Sequence, residues 1–339
     1  MNSMTSVLIV DDEPAMRDLM SRWVSSLGLF PKTAATADEA LVKLRDRHYD
    51  LAVIDVMMPG HDGLWLADQL KRDHPNTAVV IATAHTELLG EKPQQRPVAD
   101  VLIKPFLRER FALAVDRGRQ WRKEALDEVR WHEALSLELR DRTDHIITLV
   151  HERAVGETSE AQVLTDFALE RMPDTAAHAE RVVRYAESVA RELGVDHEIG
   201  AGLETAARFH DIGKGAMPDA LLTKPSAFTP GELIVMRHHV DAGGEILEAT
   251  KTLTSAAIAV RASHEWFGGD GYPRRLAGFD IPLGSRIIAV ADSYDAMTQK
   301  RAYRVRFDSA DAIAELLRCS PTQFDPDVVA AFLAMLGRH

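Results

Sequence analysis

The sequence has very little cysteine: Cys319 is the only one among 339 residues. A single cysteine excludes an intramolecular disulfide and a metal cluster held by cysteines, and it favours a reducing compartment, so we expect a cytoplasmic protein. The sequence also lacks an apolar run of the roughly 18 residues that span a membrane. Its N-terminus has no charged-then-apolar signal pattern. We therefore expect no membrane insertion.

Long basic runs are missing as well. Lysine and arginine total 40 against 52 aspartates and glutamates, and the formal net charge of −12 argues against general binding to nucleic-acid polymers. Hydrophobic residues make up 46% of the chain and charged residues 27%, which is typical of a globular protein. The length predicts two domains, or three.

In the first third of the chain, short apolar runs such as "SVLIV", "LAVID" and "AVVIATA" alternate with helical patterns. This alternation predicts an α/β doubly wound fold, a parallel sheet covered on both faces, in which sites form at the carboxyl ends of the strands. The polar residues at those ends are Asp11, Asp12, Asp55, Thr83 and Lys104. Mg²⁺, which prefers oxygen ligands, would relieve the repulsion between converging carboxylates. The alternative is that these acids only cap helices.

The segments "VLIVDDE", "VIDVMMPGHDG", "IATAH" and "LIKPF" resemble the receiver domain of two-component response regulators over residues 5–112. The resemblance implies a flavodoxin-like receiver domain at residues 1–112, Mg²⁺ as its cofactor and a sensor histidine kinase as its partner. It implies that Asp55 is the phosphoacceptor. It also implies a set of Mg²⁺ and switch residues, which are Asp11, Asp12, Met57, Thr83 and Lys104.

Two features depart from the receiver pattern. Val101 stands where the family usually has an aromatic switch residue, three positions before the lysine. Pro93 and Pro97 fall where the fourth helix of the family should lie, so we expect that helix to be short or irregular. These departures put the usual switching face in doubt, but not phosphoryl acceptance.

Residues 113–155 contain no proline and predict a long linker helix that continues from the last helix of the receiver. Apolar residues recur at Leu135, Leu139, Ile146 and Leu149, which allows pairing with a second copy as a coiled coil and hence a homodimer. The alternative is a single helix that lies on a neighbouring domain.

From residue 156 onward the patterns are helical, and an all-α domain is predicted for residues 156–339. Predicted helix starts lie near Thr175, His197, Pro230, Thr252, Gly284 and Ser309. Several of these helices place a histidine or an aspartate on the inward face: His178, His210, Asp211, His239, His264 and Asp292. A single such histidine is more often a hydrogen-bonded core residue than a ligand, but burying the whole set without a metal would be costly.

Metal sites in helical bundles are built from facing helices in this way, and imidazoles with carboxylates suit Fe, Mn, Zn or Ni better than Ca. Two such ions could activate water and clamp an in-line displacement at phosphorus.

The segments "HDIGK", "HEWFGGDGYP", "RIIAVADSYDAMTQKRAYR" and "FDPDVVAAF" resemble the HD-GYP subfamily of HD-type phosphohydrolases over residues 165–339. The resemblance implies hydrolysis of cyclic di-GMP, or alternatively of cyclic GMP-AMP, at a dinuclear or trinuclear centre of iron or manganese. It implies that the six inward residues are metal ligands, with Asp211 bridging and catalytic. It implies substrate contacts from Lys214, Tyr272, Arg301 and Arg304, and we predict a further contact from Asp295. The candidate general acids are Lys214, Asp295 and metal-bound water.

Three positions depart from the HD-GYP pattern. Ser263 replaces a histidine that would bind the second metal, and Gly268 replaces an aspartate. Asp174, which would complete a trinuclear centre, is shorter than the expected glutamate. We therefore predict two divalent metals, Fe or Mn, with the second bound more weakly.

The combined prediction is a response regulator, regulated by phosphorylation, that hydrolyses cyclic di-GMP to linear pGpG and in a second round to GMP. GGDEF-type diguanylate cyclases are further predicted partners. One alternative is a cyclic dinucleotide receptor or adaptor with little turnover, because of the incomplete metal shell at Ser263. Another is a hydrolase that acts on a different phosphoester.

Overall fold

The computed structural model describes residues 5–84, 98–155, 158–195, 197–299 and 307–337. The chain folds into two compact units, Met1–Trp131 and His132–His339. The boundary between them lies inside one long helix, whereas the sequence predicted a separate linker at residues 113–155. That three-part division stays a prediction.

The described residues of the first unit contain the strands β1 (Ser6–Val10), β2 (Phe30–Ala34), β3 (Leu51–Asp55), β4 (Ala78–Thr83) and β5 (Asp100–Ile103). These strands form a parallel sheet with the order β2-β1-β3-β4-β5. The described helices of this unit are α1 (Pro14–Ser26), α2 (Ala37–Asp46), α3 (Gly63–Asp73) and the first part of α4 (Arg108–Arg153).

The apolar runs of the sequence form the central strands, because these strands are covered on both faces. Every residue of β1, β3 and β4 is buried. Leu8 and Ile54 belong to the core on one face of the sheet, and Ile9 and Phe111 belong to the core on the other. This confirms the α/β doubly wound architecture predicted for the N-terminal part. The switch-region prolines Pro93 and Pro97 lie outside the described residues.

The described residues of the second unit form helices joined by loops and contain no strand, as predicted. It contains the rest of α4, then α5 (Glu160–Arg171), α6 (Pro173–Glu192), α7 (His197–Phe209), α8 (Asp219–Leu222), α9 (Pro230–Arg237), α10 (His239–Glu248), α11 (Thr254–Arg261), α12 (Leu283–Thr298), α13 (Ser309–Cys319) and α14 (Pro326–Leu336). A 3₁₀ turn, Ile212–Ala216, follows α7, and a shorter one spans Gly278–Asp280. Within the described ranges, no helix is both long and apolar enough to cross a membrane.

Helix α4 supplies part of the core of the second unit. Leu139 and Ile146 are buried in the main apolar cluster of that unit, and Leu149 packs against it. Leu135 is buried in a smaller cluster with Leu221 and Val235. These are the residues of the predicted coiled-coil seam, and here they face the chain's own unit. The structure therefore favours the alternative of a helix that lies on its neighbouring domain, and the homodimer stays a prediction.

Candidate metal centre

The structure brings the six predicted ligands together in two groups of three. The His178 triad consists of His178, His210 and Asp292, and the Asp211 triad consists of Asp211, His239 and His264. Within each triad, one ligand atom from every residue lies within 4.8 Å of the others. The role of these residues as ligands remains a prediction.

Five local structures carry the six side chains. His178 lies on α6 and Asp292 on α12, while His210 and Asp211 follow α7 directly, before the 3₁₀ turn. His239 is the first residue of α10, and His264 follows the end of α11. Facing helices of a bundle thus direct their polar side chains to one interior point.

The imidazole nitrogens of the two triads fit a metal centre. The Nε2 atoms of His210, His239 and His264 are buried without a hydrogen-bond partner, and so is Oδ1 of Asp211. A buried polar atom without a partner costs free energy of about 1–3 kcal/mol, so this concentration requires a ligand that accepts electron pairs. A divalent cation meets that requirement.

The other ring nitrogen of three histidines is already engaged. Nδ1 of His210 lies 2.8 Å from the Ala207 carbonyl oxygen, and Nδ1 of His239 lies 2.8 Å from that of Met236. Nδ1 of His178 lies 2.7 Å from Oδ2 of Asp295. Because a carbonyl oxygen can only accept, it fixes the proton on Nδ1 and leaves the Nε2 lone pair free for a cation.

The pKa values of the predicted ligands are shifted in different directions. Burial raises the pKa of Asp292, but the hydrogen bond with His178 and the charge of His210 outweigh burial and lower that pKa below its ordinary value. Burial, reinforced by the charge of Lys214, lowers the pKa of His239 to about 3. Burial also lowers the pKa of His178, yet its hydrogen bonds with Asp292 and Asp295 prevail and raise it to about 9. A cation that binds there must displace a proton.

Asp211 lies between the two triads. Its Oδ2 is 3.5 Å from Nε2 of His210 and its Oδ1 is 3.7 Å from Nε2 of His239. This placement suits a carboxylate that bridges two ions. Nζ of Lys214 lies 2.6 Å from Oδ2 of Asp211, and this lysine side chain is one-third exposed at the border of the centre.

The Gly-Tyr-Pro segment forms one wall of the centre. The Tyr272 ring stacks on His264 with 5.0 Å between centroids and 8° between planes. The guanidinium of Arg237 lies 5.1 Å from the centroid of the same ring. Buried Glu265 accepts hydrogen bonds from the backbone amides of Arg274 and Leu276, at 2.7 and 3.1 Å, and so closes the loop.

The structure places Asp295 behind the ligands. Asp295 was predicted to contact substrate and was a candidate general acid, but its side chain is only 1% exposed and lies behind His178. Both of its carboxylate oxygens accept hydrogen bonds from Arg181. An acid enclosed in this way orients its histidine and does not face solvent. Sequence reasoning missed Arg181, although its position one helical turn after His178 was a usable sign.

The hydroxyl of Ser263 is engaged with the protein backbone. Its hydroxyl donates a 2.8 Å hydrogen bond to the carbonyl of Val260, one turn earlier in α11. Arg301 and Arg304, the other predicted substrate contacts, lie outside the described residues, and so does the side chain of Asp174.

Gly213 allows the 3₁₀ turn to approach the start of α10. A Cβ on Gly213 would lie 1.9 Å from the carbonyl oxygen of His239. We expect Gly213→Ala to lower the free energy of unfolding by about 2–3 kcal/mol, because backbone must move to relieve the overlap. Chemical denaturation measures this change, and metal content should fall with it. Gly202→Ala is the matched control, since a Cβ there meets nothing within 4 Å and the substitution sits inside α7. Equal stability of both variants would contradict the close approach.

A second acidic group lies at the edge of the parallel sheet, where the sequence placed it. Asp11, Asp12 and Asp55 have carboxylate oxygens within 4.8 Å of one another. Nζ of Lys104 lies 2.8 Å from Oδ2 of Asp11 and 2.9 Å from Oδ2 of Asp55. Burial raises the pKa of Asp55, and its hydrogen bond with Lys104 only partly offsets this. Oxygen ligands of this kind suit Mg²⁺.

Two further residues predicted for the receiver site, Thr83 and Met57, differ in their exposure. Thr83 is buried at the end of β4, as predicted, while Met57 beside the strand end is 54% exposed. Asp11 also accepts a hydrogen bond from the amide of Glu13, directly before α1, but this bond is not a helix cap, because the N-cap residue of α1 is Glu13 itself.

Comparison with known proteins agrees with the division of the chain into two units. The family model of the response regulator receiver domain matches residues 7–116, and the family model of the HD domain matches residues 162–328. A cyclic di-GMP phosphodiesterase of Thermotoga maritima is 31% identical over 97% of this chain and 90% of its own. The cyclic di-GMP phosphodiesterase response regulator RpfG of Xanthomonas campestris is 32% identical over 97% of this chain and 87% of its own.

Further relatives match about half of this chain. A 3′3′-cGAMP-specific phosphodiesterase of Vibrio cholerae is 37% identical over 48% of this chain and 32% of its own. The two full-length relatives carry the assignment, because the match extends through both units. The chain belongs to the family of response regulators that join a receiver domain to an HD domain.

Proposed function

We propose that this protein is a metal-dependent phosphodiesterase that hydrolyses cyclic di-GMP to linear pGpG. The observation that carries the proposal is the pair of triads joined by Asp211, with three histidine Nε2 atoms buried and unpartnered. The names of the two full-length relatives support the same substrate.

The donor set fits two divalent ions, and Fe or Mn suits its imidazoles and carboxylates. When bound, such ions would supply an activated water and neutralise charge on the phosphate. The chain's own residues hold and orient these ions. His178, His210 and Asp292 would hold one of them, and Asp211, His239 and His264 the other.

Lys214 and Tyr272 are the described residues best placed to meet the dinucleotide. The Lys214 ammonium stands at the border of the centre, where it could bind a phosphate oxygen or protonate the leaving 3′-oxygen. The Tyr272 ring, stacked on His264, offers a flat surface beside the ligands. Asp295 drops out as a proton donor because it is enclosed by Arg181 and His178.

Regulation is proposed to start at Asp55 in the first unit. A sensor histidine kinase would transfer a phosphoryl group to Asp55, with Mg²⁺ held by Asp55, Asp11 and Asp12 and with Lys104 neutralising the product. Homodimer formation and partnership with diguanylate cyclases remain predictions of the sequence.

A second candidate function is a cyclic dinucleotide receptor with little turnover. It is favoured by Ser263, which stands where a histidine would add a ligand to the Asp211 triad. The Ser263 hydroxyl instead donates a hydrogen bond to the Val260 carbonyl.

The deciding experiment is a product assay on anaerobically purified protein loaded with Fe²⁺ or Mn²⁺. Cyclic di-GMP, cyclic GMP-AMP and cyclic di-AMP are each incubated with the protein, and products are separated by chromatography. We expect pGpG from cyclic di-GMP and no product after metal removal by a chelator. Tight binding without product would support the receptor instead. Faster turnover of cyclic GMP-AMP would reassign the substrate within the same activity.

A further inference from the structure

We infer that the two triads bind metal in a fixed order: the first ion enters the His178 triad and the second, weaker ion enters the Asp211 triad. The inference rests on the proposed metal dependence and adds an order of filling, with Arg181 and Asp295 as positioning residues for the first ion. It follows from what surrounds each triad.

The His178 triad is backed by a buried ion pair. Oδ2 of Asp295 accepts from Nδ1 of His178 at 2.7 Å, while Arg181 donates to both oxygens of the same carboxylate at 2.5 and 2.9 Å. Asp295 is 1% exposed, so these contacts hold its carboxylate in one orientation. A carboxylate behind a ligating histidine fixes the ring and makes it a stronger donor.

The Asp211 triad has weaker support. His239 is backed by the neutral carbonyl of Met236, at 2.8 Å. Nζ of Lys214 lies 2.6 Å from Oδ2 of Asp211, and this oxygen also faces His210, so the ammonium charge acts on both triads and does not distinguish them. Arg181, the cation behind His178, is separated from the ligand atoms by Asp295.

The two triads therefore differ in the group behind a ligating histidine, a carboxylate behind His178 and a neutral carbonyl behind His239. An outer carboxylate typically changes metal affinity by about 10–100-fold. This difference places the first ion with His178.

The test is a titration of the metal-free full chain with Mn²⁺. Binding is monitored by isothermal calorimetry and by the electron paramagnetic resonance signal of free Mn²⁺. Excess Mg²⁺ in the buffer occupies the site formed by Asp11, Asp12 and Asp55, so that Mn²⁺ binding there does not contribute to the titration. We expect two steps for the wild type. Asp295→Asn and Arg181→Met should each weaken the tight step about tenfold or more and leave the weak step unchanged. His264→Ala should remove the weak step and keep the tight one.

Arg184→Met is the matched control, because Arg184 lies on the same helix and is exposed. Arg181→Lys keeps a cation beside Asp295 and should recover part of the lost affinity, which a purely structural defect would not show. Circular dichroism of each metal-free variant establishes that it is folded. The inference is overturned if Asp295→Asn and Arg181→Met leave the tight step intact, or if His264→Ala removes it. Hydrolysis by the loaded wild type is measured separately, so a failed order of filling is distinguishable from a failed phosphodiesterase.

Discussion

Replacing Asp211 with asparagine is expected to lower the rate of cyclic di-GMP hydrolysis by a factor on the order of 10³–10⁴. The Asp211 carboxylate has one oxygen facing His210 and the other facing His239, so it serves both triads at once. Asparagine keeps the shape of the side chain but loses the charge and one of the two oxygen donors. Chromatography of products and metal analysis of the same sample should show the loss of activity and the loss of metal together.

The control for this substitution is Asp241→Asn. Asp241 lies two residues after His239 on α10, but its carboxylate faces His238, at 3.7 Å, and Arg261. We expect near wild-type hydrolysis from this variant. If Asp211→Asn retained full metal content and full activity, the bridging role would be wrong and the two triads would have to act independently.

Replacing Asp55 with asparagine is expected to abolish incorporation of phosphate from acetyl phosphate. Asp55 ends the buried strand β3, and its carboxylate lies within reach of Lys104 and of two further acids that could hold Mg²⁺. Only a carboxylate can form the acyl phosphate, so the amide should leave no labelled protein. Electrophoresis on a phosphate-binding gel detects the modified form.

Asp73→Asn serves as the comparison, because Asp73 is an exposed acid at the end of α3. That variant should be labelled like the wild type. Labelling that persists in Asp55→Asn would show that another acid, most directly Asp12 or Asp11, is the acceptor. Hydrolysis assays of labelled and unlabelled wild type then give the direction of regulation.

Much of the first unit could be predicted from the sequence, because its strands are continuous apolar runs that only a two-sided core can bury. The second unit was predicted less completely. Starts at His197, Pro230 and Ser309 agree with the structure, since capping residues mark two of them: Thr229 and Asp308 accept hydrogen bonds from the backbone of the next turn. Helix α5 was not predicted, because its apolar residues are spread around the helix without a clear face.

The candidate site was also predicted only in part. The histidines and aspartates of the triads were found from helical spacing and from the resemblance to the HD-GYP pattern, although His210, Asp211 and His264 lie just beyond the ends of their helices. The residues that support them were not. Arg181 meets Asp295 across 114 positions of sequence, and Arg237 reaches Tyr272 from a different helix. Such pairs exist only once the helices are packed, so periodicity along one helix does not reveal them.

The burial of Leu135, Leu139 and Ile146 in the second unit has a consequence for engineering and for natural variation. The later half of α4 carries two requirements in one stretch of sequence, since it joins the units and also fills a core. A substitution there that is chosen to alter communication between the units also removes or adds core volume, at a cost of about 2–5 kcal/mol for a leucine cut to alanine. Altered regulation in such variants therefore has to be separated from lost folding, and exposed positions of the same helix, such as Leu137, are the cleaner places to change.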